Sequence, residues 1–407
     1  MQLYKIFPLQ YLKHLVTISL LCLSGIAYAE TPQSLAGMAS EAFERLNHRR
    51  MLVGLNPLQR NATLDDSASA HCRYLVKNNS LNTEGHGESA GRPGFTGNTP
   101  AERISAAGYT DPTTSENMAL ISYPLGALGT DNLIDAPYHR QAQLGAFVEA
   151  GVCMSTQPAP PNSVNPLQYI YVINFGGIGS ITDNSTRLFT YPTNNQIDAP
   201  FDWIANESPN PVPDLNGQRV GYPISISADL TDTLHIDAFT LSDVEGKSVT
   251  GRLITSRTDN GKPLGSYAFW IPLQALNAGA RYQAKAQGSL NRKAFSLGWS
   301  FTTRKASPLQ LLPSAPKVSD VAGSTLSVQV SGGFGSNAEV MYSGQRYQYY
   351  GKINPKVTFV SASYPRPDHL ILTRNATPCA NNVAACEIII RGKDSSGSQT
   401  ELVLPVN

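Results

Sequence analysis

Charge is scarce in this sequence: Asp, Glu, Lys and Arg make up 15% of its 407 residues, 31 basic against 30 acidic. A chain so sparsely and evenly charged offers no electrostatic footprint for nucleic acid or an anionic membrane surface. No apolar run beyond the first thirty or so residues reaches the roughly 18 to 20 residues that span a bilayer, which argues against a transmembrane anchor. Cysteine is also sparse, five in all, and none stands in the Cys-x-x-Cys spacing of redox or zinc sites. Neither a Gly-x-Ser-x-Gly elbow nor a His-Glu-x-x-His helix is present. Gly91 to Gly97 is glycine-rich, yet it lacks the preceding strand, the Lys and the Ser/Thr of a phosphate cradle. No repeat, heptad or low-complexity tract breaks the pattern.

What is present begins with an export pattern. Lys5 and Lys13 precede an apolar run from Leu15 to Ile26, and Ala27-Tyr28-Ala29 supplies a small-x-small cleavage site. The mature chain is expected to begin near Glu30, in the periplasm or outside the cell. Leu21 is not the small residue that a lipoprotein signal needs before Cys22. Four cysteines then remain, Cys72, Cys153, Cys379 and Cys386, and an even count in an exported chain reads as two disulfides. Three pairings are open. The short separation of Cys379 and Cys386 favours a local clip, which leaves Cys72 to pair with Cys153.

Periodicity divides the rest. Leu35, Met38, Ala42 and Leu46 share one face of a helix expected over Ser34 to Val53, with Gly54 able to end it. Asn61 or Thr63 offers capping oxygens to a second helix on which Leu64, Ala68, His71 and Leu75 align. The runs 150–154 and 169–175 read as strands, so an α+β domain is expected over residues 30–180, after a leader over 1–29. Short alternating runs such as Ile224 to Ser227 and Leu234 to Leu241, with turns at Asp259-Asn260-Gly261 and Asn277-Ala278-Gly279, predict a β-sandwich over 190–304. Pro308 and Pro313 to Pro316 mark a linker, and a second small β-sandwich is expected over 317–407.

An ordered series of short motifs carries a family resemblance. Leu46-Asn47 with Arg50, Gly54-Leu55 and Leu58 is followed by Ala70-His71, Gly85-His86-Gly87, Pro100-Ala101-Glu102-Arg103 and Ala107-Gly108-Tyr109. Ser115-Glu116-Asn117-Met118-Ala119, Ala136-Pro137-Tyr138-His139-Arg140 and Glu149-Ala150-Gly151-Val152 complete it. Over roughly residues 38–177 the series resembles the CAP superfamily, that of cysteine-rich secretory proteins, antigen 5 and pathogenesis-related proteins, in its bacterial form. The resemblance implies an α-β-α CAP sandwich followed by two all-β sandwiches that resemble bacterial Ig-like modules.

That resemblance also implies a ligand cleft built by His86, Glu116 and His139, with His86 and His139 as ligands of a divalent cation such as zinc. Ser115 stands where the family has Gly, and the family's second cleft glutamate has no clear counterpart, although Asp131 and Asp135 lie in the right interval. Two neutral imidazoles and a carboxylate can hold a cation. A His beside a Glu equally forms a hydrogen-bonded ion pair at the mouth of a domain when its ring is protonated. The expected partners are a small ligand, a lipid or a cell-envelope glycan, with the sandwiches as spacers or adhesion units. A metal-dependent hydrolase and a surface interaction protein without an active cleft are the alternatives. His71, on an apolar helix face, reads as a packed, hydrogen-bonded core residue. Glu84 and Glu88 flank His86 and are candidates to orient its ring.

Overall fold

A computed structural model describes residues 34–160, 165–179, 188–257, 259, 266–305, 310–331, 360–366, 369–376, 386–393 and 399–406, within one unit, Gln33–Asn407. The expected leader, Cys379 and the side chain of Cys386 lie outside the described residues.

The first helices follow from their caps and their spacing. Helix α1 (Leu35–Leu52) opens where Ser34 Oγ accepts from Gly37 N, and it buries Met38, Ala42, Leu46 and Arg50 at steps of four, with Ala39 beside them. It stops where Gly54 takes φ +82°, a conformation that glycine adopts without strain. Strand β1 (Gln59–Arg60) leads to α2 (Ala62–Asn78), capped by the Asn61 side chain on the amides of Thr63 and Leu64. The chain continues through α3 (Leu81–Glu84), α4 (Pro100–Ala106), β2 (Thr114–Ile121), α5 (Gly126–Asp135), α6 (Pro137–Gln143), β3 (Phe147–Pro158) and β4 (Leu167–Ile178).

The four strands form a sheet in the order β1-β3-β4-β2. Strand alternation gives β4 two apolar sides. Tyr171, Ile173 and Phe175 cluster with residues of α1 and α5, while Ile170 and Val172 cluster with residues of α2. A disulfide joins Cys72 on α2 to Cys153 on β3 across 81 positions. Arg50 is wholly buried with four backbone carbonyls as partners, those of Asn56, Gln143, Gly145 and Phe147, at 2.8–3.1 Å. It thereby ties the end of α1 to the turn between α6 and β3.

The middle region contains β5 (Leu188–Tyr191), β6 (Asp202–Ile204), β7 (Arg219–Gly221), β8 (Ile224–Ala228), β9 (Leu234–Asp243), β10 (Gly251–Thr255), β11 (Ser266–Pro272), β12 (Arg281–Leu290) and β13 (Lys293–Thr302). Its sheets β10-β11-β8-β5 and β13-β12-β9 face one another across Ile224, Ile226, Phe239, Leu241, Ala284 and Trp299, which makes a β-sandwich. The β12–β13 hairpin turns on Asn291 and Arg292, both at positive φ, the backbone of a two-residue type I′ turn. The last strands, β14 (Gln310–Pro313), β15 (Thr325–Ser331), β16 (Val360–Arg366), β17 (His369–Arg374), β18 (Cys386–Lys393) and β19 (Gln399–Val406), form a four-stranded sheet and a hairpin.

The expected fold class, an α+β chain led by an α-β-α CAP sandwich, is corrected. Strands predominate, nineteen against six α-helices among the described residues. The first sheet does not close on itself as an independent sandwich either. One buried cluster unites Leu55, Ile134, Tyr138, Leu144 and Ala146 with Tyr191, Trp203, Val220, Tyr222, Tyr267 and Phe269 of the middle region. The physical reason is the apolar side of α5 and α6, which finds its cover on the β-sheet that follows in sequence.

Candidate functional site

Two imidazole–carboxylate pairs stand out. His86 follows α3 directly, after Gly85 at φ +53°, and its side chain keeps 43% exposure. Its Nδ1 lies 2.9 Å from Oε1 of Glu116, a carboxylate with 1% exposure. Glu116 sits on β2 directly opposite Asn174 on β4. Its oxygens also accept from Arg103 Nη2 at 2.8 and 2.9 Å. The Asn174 amide, with its nitrogen turned to the carboxylate, donates at 3.0 Å. Burial pushes the Glu116 carboxyl up, but the His86 hydrogen bond, the Arg103 charge and the neighbouring imidazoles of His71 and His86 outweigh it and leave it below the ordinary range.

A second layer lies beneath. His71 is fully buried, as its place on the apolar face of α2 implies, with Nδ1 2.9 Å from Glu88 Oε1 and Nε2 3.0 Å from the Gly85 carbonyl. Glu88 also accepts from Thr96 N at 2.7 Å, and Arg103 Nη1 donates to the His86 carbonyl at 2.9 Å. Neither flanking glutamate orients the His86 ring. Glu88 is committed to His71, and Glu84 accepts from Ser89 Oγ and Tyr74 Oη, which with Arg92 hold its carboxyl down at about 2.

His139, on α6, has 14% side-chain exposure, and its Nδ1 lies 2.9 Å from Oε2 of Glu207. Glu207 also accepts from Tyr138 N at 3.2 and 3.3 Å. The His139 carbonyl accepts from Asn117 Nδ2 at 2.8 Å, next in sequence to Glu116. The backbone that carries the second imidazole is thus pinned to the strand that holds the first. Asp131 pairs with Arg45 and Arg49, and Asp135 accepts from Tyr222 Oη at 2.7 Å, so neither reaches an imidazole.

A carboxylate only accepts, so each Nδ1 must donate to its partner, and a neutral ring then presents a lone pair at Nε2. Neither Nε2 has a partner among the described residues. As a metal centre the donor set is incomplete: no group of three or more His, Cys, Asp or Glu side chains among the described residues is arranged to hold a metal ion. Both glutamates are already committed to Nδ1 hydrogens.

Sequence reasoning missed Arg103, Asn174 and Glu207. Asn174 was findable, because a lone amide inside the apolar run Tyr169 to Phe175 must have a buried partner. Arg103, with Ile104 on the inner face of α4, gave a fainter signal. Glu207 gave none.

No family model matches the chain, and no curated protein matches it. Solved structures that it is similar to include a titin fragment (10% identity, 46% of this chain and 88% of that one, TM-score 0.18). Others are the zebrafish RET cadherin-like domains 1 to 4 (8% identity, 66% and 67%, TM-score 0.24) and the N-terminal part of the bacterial S-layer protein SbsC (13% identity, 46% and 41%, TM-score 0.19). These scores are too low to carry a fold argument. The resemblance to the CAP superfamily is corrected: no family model matches the chain, and strands outnumber α-helices by nineteen to six among the described residues. The short motifs have local causes instead: Gly54 and Gly108 occupy positive-φ helix ends, His71 fills the core against Glu88, and Arg103 neutralises Glu116.

Proposed function

We propose that this chain is an exported binding protein whose His86 and His139 side chains receive a small hydroxyl-bearing ligand of the cell-envelope glycan type. The observation that carries the reading is the cost of holding His86. A buried carboxylate, a buried guanidinium and a buried amide are spent on orienting one imidazole that keeps 43% of its surface in solvent. Burying charges costs several kcal/mol per ion before pairing, and a ring with no external role needs no such support. Two Nε2 lone pairs suit a ligand that donates hydrogen bonds, as sugar hydroxyls do. The Cys72–Cys153 disulfide supports an oxidising compartment, and no helix among the described residues is long and apolar enough to cross a membrane.

The test is a titration of the full-length protein with soluble muropeptides, following the imidazole resonances of His86 and His139. Both should shift in a saturable way, and His86→Ala should abolish binding with the fold intact. Zinc alone serves as the comparison probe. Muropeptides that leave both rings unperturbed at millimolar concentration contradict the reading.

A further inference from the structure

The second imidazole is held across the seam between two regions of the chain. His139 belongs to α6, whereas Glu207 lies in the loop between β6 and β7, 68 positions later. We propose that Glu207 is the positioning residue for His139: its carboxylate holds Nδ1–H and leaves the Nε2 lone pair outward, so the middle region builds part of the site.

Three observations converge. Glu207 is itself fixed, with a side chain 3% exposed and a second contact to Tyr138 N. Freedom to follow a rotating imidazole is therefore small. The residues on either side of His139 are clasped by the same region. Tyr138 Oη donates to Asp259 at 2.6 Å. Arg140 donates to the Pro223 carbonyl at 2.8 Å, its guanidinium lying 4.7 and 5.0 Å from the ring centres of Tyr191 and Tyr222. The ring, by contrast, remains partly exposed, with Nε2 unpartnered among the described residues. A purely structural pair would have buried both nitrogens or satisfied both, as His71 does.

The consequence for binding rests on the proposed function, but the tautomer does not. Isotope-labelled full-length protein, examined by long-range proton–nitrogen correlation at a mildly alkaline pH where one ring proton remains, shows which nitrogen carries it. His139 is expected as Nδ1–H. In Glu207→Ala it should move to the Nε2–H-rich mixture of a free imidazole. In Glu207→Gln, whose amide oxygen still accepts, it should stay Nδ1–H, while His86 is unchanged in both variants. Muropeptide affinity should fall about tenfold or more in the alanine variant and recover in the glutamine one. A His139 that keeps Nδ1–H without the carboxylate overturns the proposal. A changed tautomer with unchanged affinity overturns the ligand reading alone. Should the alanine variant fail to fold, the wild-type protein decides, because an Nε2–H His139 there is incompatible with the proposal.

Discussion

The two imidazoles are held by regions built on different principles. Beneath His86 the supports are all local to the first sheet and its helices: His71, Glu88, Arg103, Glu116 and Asn174 form a network in which buried charges neutralise one another. Beneath His139 the support comes from the next region of the chain, through one loop carboxylate and an aromatic interface. The first arrangement is costly to desolvate and fails if one charge is lost. The second is made of ordinary packing and neutral or singly charged hydrogen bonds, and it depends on two regions staying together.

The largest expected effect tests the first arrangement. Arg103→Met removes the cation that Glu116 and Glu88 share, leaving carboxylates buried with too few partners. It should cost about 3–5 kcal/mol by urea denaturation. A loss below about 1 kcal/mol would mean that the network is solvated. Next in size is the paired change Cys72→Ala with Cys153→Ala. Opening a loop of this length should cost about 2–4 kcal/mol, and in one cooperative structure the amides of α2 and of the β12–β13 hairpin should lose protection together. Loss confined to α2 would show that the two regions unfold separately.

The seam gives a smaller, pH-dependent effect. Burial pushes the Asp135 carboxyl up to about 6, against the ordinary 3.8, with the Tyr222 hydrogen bond pulling the other way. The folded protein therefore holds that proton more tightly than the unfolded chain does. Its contribution to stability is full below about pH 4, declines as pH rises, and is gone above about pH 6, a loss of at most about 3 kcal/mol that partial solvent contact reduces. Asp135→Asn should flatten this part of the profile. A wild type and variant whose stabilities differ by a constant from acid to neutral pH would remove Asp135 from the account.

Local structure was legible in the sequence wherever a residue states its own conformation. Ser34 and Asn61 mark helix starts, Gly54 an end, and the buried face Leu64, Ala68, His71 and Leu75 was set by its spacing. The alternating runs 224–227 and 234–241 fall within β8 and β9. Fold assignment beyond that was not legible, because capping and turn residues recur in any chain with similar helix ends, so a series of them imitates a family. His86 and Glu116, which the series set in one cleft, are hydrogen-bonded at 2.9 Å, although no family model supports the series. Glu207 was out of reach, since a loop carboxylate far along the chain has no periodicity or neighbour to mark it.

The buried cluster at the seam should make the first two regions one cooperative structure. All three tryptophans, Trp203, Trp270 and Trp299, lie in the middle region, whereas every α-helix among the described residues precedes residue 144. Tryptophan fluorescence therefore reports one region and the far-ultraviolet helix signal the other. Urea unfolding followed by both should give coincident transitions. Two separated midpoints, with the helices lost while the tryptophans stay buried or the reverse, would contradict it.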